Sequence, residues 1–369
     1  MTEKQIYQVG LTMINGVGDI LAHQLLQEIG DAEAIFREKQ SALEKVAGIG
    51  SVTAAEIKRP DVLRRAEKEV AFAEKNQITI CFLTEPNYPA RLKECPDAPV
   101  LFYFKGNACL NAAHVISIVG TRQASDYGQE LTRKLINDLA VRFPDLLVVS
   151  GLAYGIDICA HRHALHAQLP TVGVLAHGLD RIYPPVHRNV AVEMLANGGL
   201  LTDFPSGTNP DRANFIKRNR IVAGLSDTTL VIESAEKGGS LITADIAFSY
   251  GRDVYAFPGR VNDVHSKGCN DLIRRNKAGL ITSADDLISA MRWDVEEKTK
   301  QLPQQLQLLF PENEEKQRVV SFLSKRHELH VNELALEMGL PVQQLSTLLF
   351  EMEMDGVVRA MPGNKYKLL

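Results

Sequence analysis

The chain has 369 residues, enough for about two or three domains. Its 45% apolar and 23% charged composition is that of a folded water-soluble protein, not a disordered one. A formal net charge of -4 excludes a globally basic surface, so any polyanion must meet a local patch. The start MTEKQIYQVG lacks the pattern of a signal peptide, and no apolar run approaches the roughly 20 residues of a membrane span. Five scattered cysteines without a CxxC pair read as reduced thiols, which predicts a cytoplasmic protein without a disulfide framework.

Residues 1–75 read as short helices containing two similar units. Gly16-Val17-Gly18 precedes Ile20-Leu21-Ala22, and Gly48-Ile49-Gly50 precedes Ser51-Val52-Thr53. Each is the Gly-apolar-Gly turn of a helix-hairpin-helix, where glycine permits the tight turn and the next helix offers free amides. Ten Lys or Arg against twelve Asp or Glu in this segment favour a structural or protein-contact role. Residues 76–110 form a connector with strand candidates over 78–82 and 100–104, separated by Pro86, Pro89, Pro96 and Pro99.

From residue 111 to 292 the pattern becomes alternating βα units. Strands are predicted over 115–119, 146–149, 171–175, 200–202, 229–233 and 254–257, as short β-branched apolar runs suited to buried parallel pairing. Residues 293–315 are polar and read as a linker. Residues 316–369 give three helices and a hairpin around Pro362-Gly363-Asn364, the order of a winged helix. The third helix carries Glu351, Glu353 and Asp355 and no Lys or Arg, which argues against major-groove reading and for protein contact. The fold class is therefore α/β, a Rossmann-like parallel sheet flanked by an N-terminal helical domain and a C-terminal winged helix.

In such a sheet, ligands bind beyond the carboxyl ends of the strands. Gly120 and Arg122 follow the first strand, and Ser150, Gly151 and Gly155 follow the second; Gly238-Gly239-Ser240 follows strand 229–233. Residues 211–220 concentrate four Arg or Lys against one Asp, ending in Phe215-Ile216-Lys217-Arg218-Asn219-Arg220. Small turns and local cations together predict a phosphate-lined crevice. No Walker segment or complete dinucleotide fingerprint is present, and Asp157 reads as a helix-start acceptor. His161, His163 and His166 lack the spacing of a metal site and read as packing or surface residues. No serine or cysteine has an identifiable base. The expectation is no catalytic set, no metal and no cofactor.

The segments IVGTRQAS (118–125), SGLAYGID (150–157), GLDRIYPPVHRN (178–189), FIKRNRIVAGLS (215–226), GGSLITADIA (238–247), FPGR (257–260) and KGCNDLI (267–273) occur in order along the chain. In these the sequence closely resembles the DNA-processing protein A family, also called Smf or DprA. The resemblance implies a non-enzymatic protein that binds single-stranded DNA on its central domain, protects incoming DNA during natural transformation and loads a RecA-type recombinase. It also implies self-association, a homodimer through the central domain. Carried over by motif, the DNA-binding residues fall on Arg122, Ser150, Gly151, Gly155, Phe215, Arg218, Asn219, Arg220, Gly239 and Ser240, with Lys217 beside them. Thr202-Asp203 replaces the Ser-Glu found before Phe-Pro in many members, leaving the role of Asp203 open. The rival reading is a nucleoside-monophosphate glycosidase using Asp157 or Glu233, although the expected PGGxGTxxE segment is absent.

Overall fold

A computed structural model of the chain describes residues 2–294, 314–326, 328–361 and 364–368. Most of the predicted linker, and the Pro362-Gly363 part of the predicted hairpin turn, lie outside them. The chain divides into two compact units, Met1–Ala284 and Asp285–Leu369.

The first unit opens with six helices: α1 (Glu3–Thr12), α2 (Asp19–Ile29), α3 (Ala32–Arg37), α4 (Gln40–Leu43), α5 (Ser51–Ile57) and α6 (Pro60–Lys75). The two glycine turns repeat one geometry. Gly16 and Gly48 have φ of 81° and 82°, a left-handed conformation that favours glycine. Gly18 and Gly50 then cap α2 and α5 in nearly identical extended backbone, at φ -88°, ψ 179° and φ -90°, ψ 176°. The predicted duplication is therefore a structural one. Val9, Leu25, Ile35 and Ile57 from these helices share one apolar core with Phe82, Leu101 and Tyr103.

Those last three residues lie on or beside β1 (Thr79–Phe82) and β2 (Leu101–Gly106), with the short α7 (Ala90–Lys93) between the strands. Both strands extend the main sheet, because β1 pairs antiparallel with β2 and β2 antiparallel with β6 (Gly198–Thr202). The rest of the sheet is parallel: β3 (Val115–Val119), β4 (Leu147–Ser150), β5 (Thr171–Val174), β7 (Thr228–Val231), β8 (Asp253–Ala256) and β9 (Gly279–Leu280). The strand order is β1-β2-β6-β5-β4-β3-β7-β8-β9. The connections run outward from β3 to β6, then return to β7 on its other side. Between β3 and β7 the order reverses, which parts the adjacent loops and opens a crevice there.

Helices α8 (Asp126–Arg142), α9 (Ile156–His166), α10 (Arg188–Met194), α11 (Arg212–Gly224), α12 (Gly239–Ser249) and α13 (Lys267–Arg274) form the crossovers. α8 packs on α9, and α11 on α12. Strands β3 to β7 are buried along their lengths, as helices on both faces of a parallel sheet require. Among the described residues no helix is long and apolar enough to cross a membrane.

His161 on α9 is fully buried. Its Nδ1 lies 2.7 Å from Thr171 Oγ1, whose own hydroxyl donates to the Val148 carbonyl at 3.0 Å, so Nδ1 is assigned the proton. Nε2 has no partner, and burial, with lesser repulsion from His187 and Arg218, holds the ring's pKa down to about 3. The unfolded ring titrates near its ordinary value of about 6.5. Between these values the unfolded chain binds the extra proton, so this contribution to stability is complete above pH 6.5 and falls as pH drops toward 3. Urea unfolding of the wild type is expected to weaken from pH 7 to pH 5 more than that of His161→Gln. Equal losses would show that His161 does not carry the effect.

The second unit contains α14 (Ala284–Met291), which begins at the boundary, then α15 (Glu314–Arg326), β10 (Glu328–His330), α16 (Val331–Met338), α17 (Val342–Met354), β11 (Val358–Met361) and β12 (Lys365–Leu368). The last three helices and a sheet of order β10-β12-β11 make the winged helix around Val319, Leu334, Leu349 and Val358. The acids of α17 and its C-cap have local partners: Lys316 lies 3.3 Å from Glu351 and 3.2 Å from the cap residue Asp355, and Glu353 accepts from the Ala360 amide.

Candidate nucleic-acid interface

The loops after β3, β4 and β7 and one face of α11 enclose a crevice of about 660 Å³ at the reversal point. α12 begins at its edge. No side chain caps the start of this eleven-residue helix; the Leu241 amide donates to the Gly238 carbonyl at 3.2 Å, which leaves the amides of Gly239 and Ser240, both lining the crevice. A Cβ at Gly239 would meet nothing within 4 Å, so this wall is open. Three exposed cations, Arg122, Arg212 and Lys237, line the same space.

Phe215 stands between two guanidinium groups, with Arg122 at 5.2 Å and Arg218 at 5.9 Å from its ring centroid. Such cation–π contacts orient the ring. Arg122 is exposed, but Arg218 is only 4% exposed and serves the floor of the crevice. Its Nη1 donates to the Gly151 carbonyl at 2.7 Å and to the Val174 carbonyl, joining the ends of β4 and β5. Burial pushes its pKa down to about 10, against the attraction of Asp157, so the group stays charged at neutral pH. Burial raises the Asp157 carboxyl, opposed by Arg218 and by the Ala153 amide. A Cβ at Gly151 would lie about 2.5 Å from the Arg218 guanidinium and 2.6 Å from Asp157 Oδ2. Glycine there makes room for these two side chains as much as for any ligand.

Asn219 joins Arg122, Gly151, Phe215, Arg218, Gly239 and Ser240 on the crevice wall. Four other predicted contacts are placed elsewhere. Ser150 is fully buried and its hydroxyl donates to the Ile118 carbonyl at 2.6 Å, locking β4 to β3. Gly155, at φ 75°, lets the turn close onto the next loop, where a Cβ would overlap Thr121 and Arg122. Lys217 points away, 5.4 Å from the Phe204 ring centroid and 3.8–3.9 Å from Asp203 and Asp19. Arg220 is 7% exposed and ion-paired to Asp203 at 2.7 Å and Asp19 at 2.9 Å, while also donating to the Asp97 carbonyl. Asp203 thus anchors Arg220.

Helical geometry explains this division. Residues three, four and seven apart share a face, so Arg212, Phe215, Asn219 and Val222 turn together toward the crevice. Lys217 and Arg220 fall on another side, facing α2. Arg220 and Lys217, expected at the phosphates from the linear run, thus lie toward Asp203 and Asp19 and not on the crevice wall. Arg212 was readable by stepping back three residues from Phe215, and Lys237 by its place before Gly238-Gly239.

A family model described as DNA recombination-mediator protein A matches residues 79–292, which contain the whole crevice. A second, the DprA winged helix domain, matches residues 297–364. Protein Smf of Escherichia coli K12 is 33% identical over 326 residues, 83% of this chain and 84% of that protein. Protein Smf of Synechocystis is 35% identical over 78% of this chain and 73% of its own length. The X-ray structure of DNA processing protein A from Streptococcus pneumoniae superposes with a TM-score of 0.64 at 31% identity, covering 78% of this chain and 98% of that one. The structure of DNA processing protein A from Helicobacter pylori, described for its single-stranded DNA binding mode, gives 0.53 at 29% identity over 59% and 97%. By the family match and by these relatives, the chain belongs to the DNA recombination-mediator protein A family, which includes Smf and DprA.

Proposed function

We propose that the crevice binds single-stranded DNA through its phosphates. The observation that carries this reading is the open wall formed by Arg122, Arg212, Lys237 and the uncapped start of α12 around Phe215. Cations and amides hold phosphates of any sequence, and the half-buried Phe215 ring offers an apolar contact that does not depend on base identity. Binding is then insensitive to base sequence and falls steeply with salt. Fluorescence anisotropy with labelled oligonucleotides of differing sequence over a salt series tests this. Absence of saturable binding at low salt, or dependence on one base sequence, would overturn it.

The glycosidase reading has less support. Glu233 is buried, and its carboxylate accepts from the Ser125 amide at 2.9 Å and hydroxyl at 2.5 Å, capping the start of α8. Asp157 is committed beside Arg218. Neither stands within a nucleophile–base arrangement. Release of free base from nucleoside monophosphates would restore this reading.

The bound strand is then handed to a RecA-type recombinase, a step supported by the family's description as a recombination mediator. Acceleration of recombinase filament formation on the strand is the expected readout, and no acceleration would refute this step. A homodimer through residues 111–292 would join two crevices into a longer track, the second contact gaining from a high effective concentration. Light scattering at micromolar concentration is expected to give twice the chain mass. A strict monomer would remove this part.

A further inference from the structure

A ring contact leads from Phe215 out of the crevice. Tyr183, 42% exposed, meets Phe215 edge-on, with ring centroids 6.0 Å apart and planes inclined at 61°. Tyr183 belongs to segment 179–188, between β5 and α10. Residues of this segment, Arg181, Ile182 and Arg188 among them, line a separate cleft of about 430 Å³. The sequence motif GLDRIYPPVHRN lies here, yet none of its residues has a place in the crevice.

The segment is held from several sides. Arg181 donates to Asn209 Oδ1 at 2.7 Å and to Asp180 Oδ2 at 2.9 Å, and Asp180 Oδ1 accepts from the Gly207 amide at 2.9 Å. His187 Nδ1 lies 2.9 Å from the Leu152 carbonyl, and its ring packs edge-on against Tyr154 at 5.1 Å. The acidic charge in the cleft is thus matched by Arg181. Arg188, at the start of α10, is exposed and lines the cleft. The segment thus carries an exposed aromatic ring, Tyr183, and, five residues on, an exposed cation, Arg188; single-strand binding uses both at each nucleotide, a π-face for the base and a positive charge for the phosphate.

We propose that segment 179–188 is a second single-strand subsite, continuous with the crevice. A strand leaving Phe215 stacks a base on Tyr183 and sets a following phosphate against Arg188. This subsite rests on the reading that the crevice binds single-stranded DNA, and its test separates the two.

The full chain is titrated with oligothymidylates of about five and about twenty nucleotides, the first matched to the crevice alone and the second long enough to reach further. Tyr183→Ala is expected to weaken the longer strand roughly tenfold. Arg188→Ala should weaken it severalfold, with a salt slope lower by about 0.7 because one phosphate is no longer neutralised. Both should leave the shorter strand within about twofold. Tyr183→Phe, which keeps the stacking face, should bind as wild type. Because Tyr183 touches Phe215, Arg188→Ala provides the variant that leaves this contact intact. Unchanged affinity of both variants for the longer strand would overturn the subsite while leaving the crevice reading standing. Equal loss on both lengths would also overturn it, because the effect would then lie in the crevice. A wild type that binds neither strand would overturn both.

Discussion

Replacing Arg122, Arg212 and Lys237 together by Ala is expected to weaken single-strand binding about a hundredfold at low salt, taking about 1 kcal/mol for each phosphate interaction removed. The log–log salt slope should fall by about 2, since each neutralised phosphate of a single strand contributes about 0.7. All three side chains are exposed on the crevice wall, so the triple variant should keep its fold, which circular dichroism can verify. Lys217→Ala is the control. It removes a cation from the same helix but from the flank facing Asp19 and Asp203, and should change affinity by less than about twofold. If Lys217→Ala weakens binding as much as the triple variant, the assignment of faces on α11 is wrong.

Arg220→Ala is expected to act on the fold instead. It would leave Asp203, whose side chain is 3% exposed, without its close partner, and Asp19 without its shorter ion pair. Burial opposes the charge of Arg220, but Asp203 and Asp19 outweigh it and raise its pKa. Removing one partner of such a buried pair costs about 3–5 kcal/mol, a large part of the roughly 5–15 kcal/mol that holds a domain folded. Urea unfolding should show the loss directly. Arg220→Met combined with Asp203→Leu should recover part of it, because no buried charge is then orphaned at that carboxylate. A variant Arg220→Ala with normal unfolding and impaired DNA binding would instead return Arg220 to the phosphates.

The parts of the fold visible in the sequence were those written in local pattern. The β-branched runs of β3, β4, β5 and β7 mark buried strands, and paired glycines mark both helix-hairpin turns. The strand ends bearing Gly120, Gly151 and Gly239 do meet at one crevice. What stayed hidden depends on partners distant in sequence, or on elements too short for a period. Asp19 reaches Arg220 across 201 positions, and Arg218 is claimed by the carbonyls of Gly151 and Val174. A row of cations in sequence is not a row in space once the chain coils: α11 sends Arg218 inward, Lys217 outward and Arg220 into an ion pair. β9 has two residues and β10 three, so neither shows alternation.

The contact between Arg220 and Asp19 also bears on how this chain can be dissected. The family match begins at residue 79, which invites trimming the preceding helices as a dispensable appendage. Yet α2 supplies one of the two carboxylates that neutralise Arg220, and α6 supplies Glu69, which accepts from both the amide and hydroxyl of Ser206, in the loop between β6 and α11. A fragment starting at residue 79 would carry an under-compensated guanidinium at the back of the very helix whose front holds Phe215. Homology and mechanical independence thus draw their boundaries in different places. A truncation meant to isolate the crevice should keep the amino-terminal helices or replace the countercharge they provide.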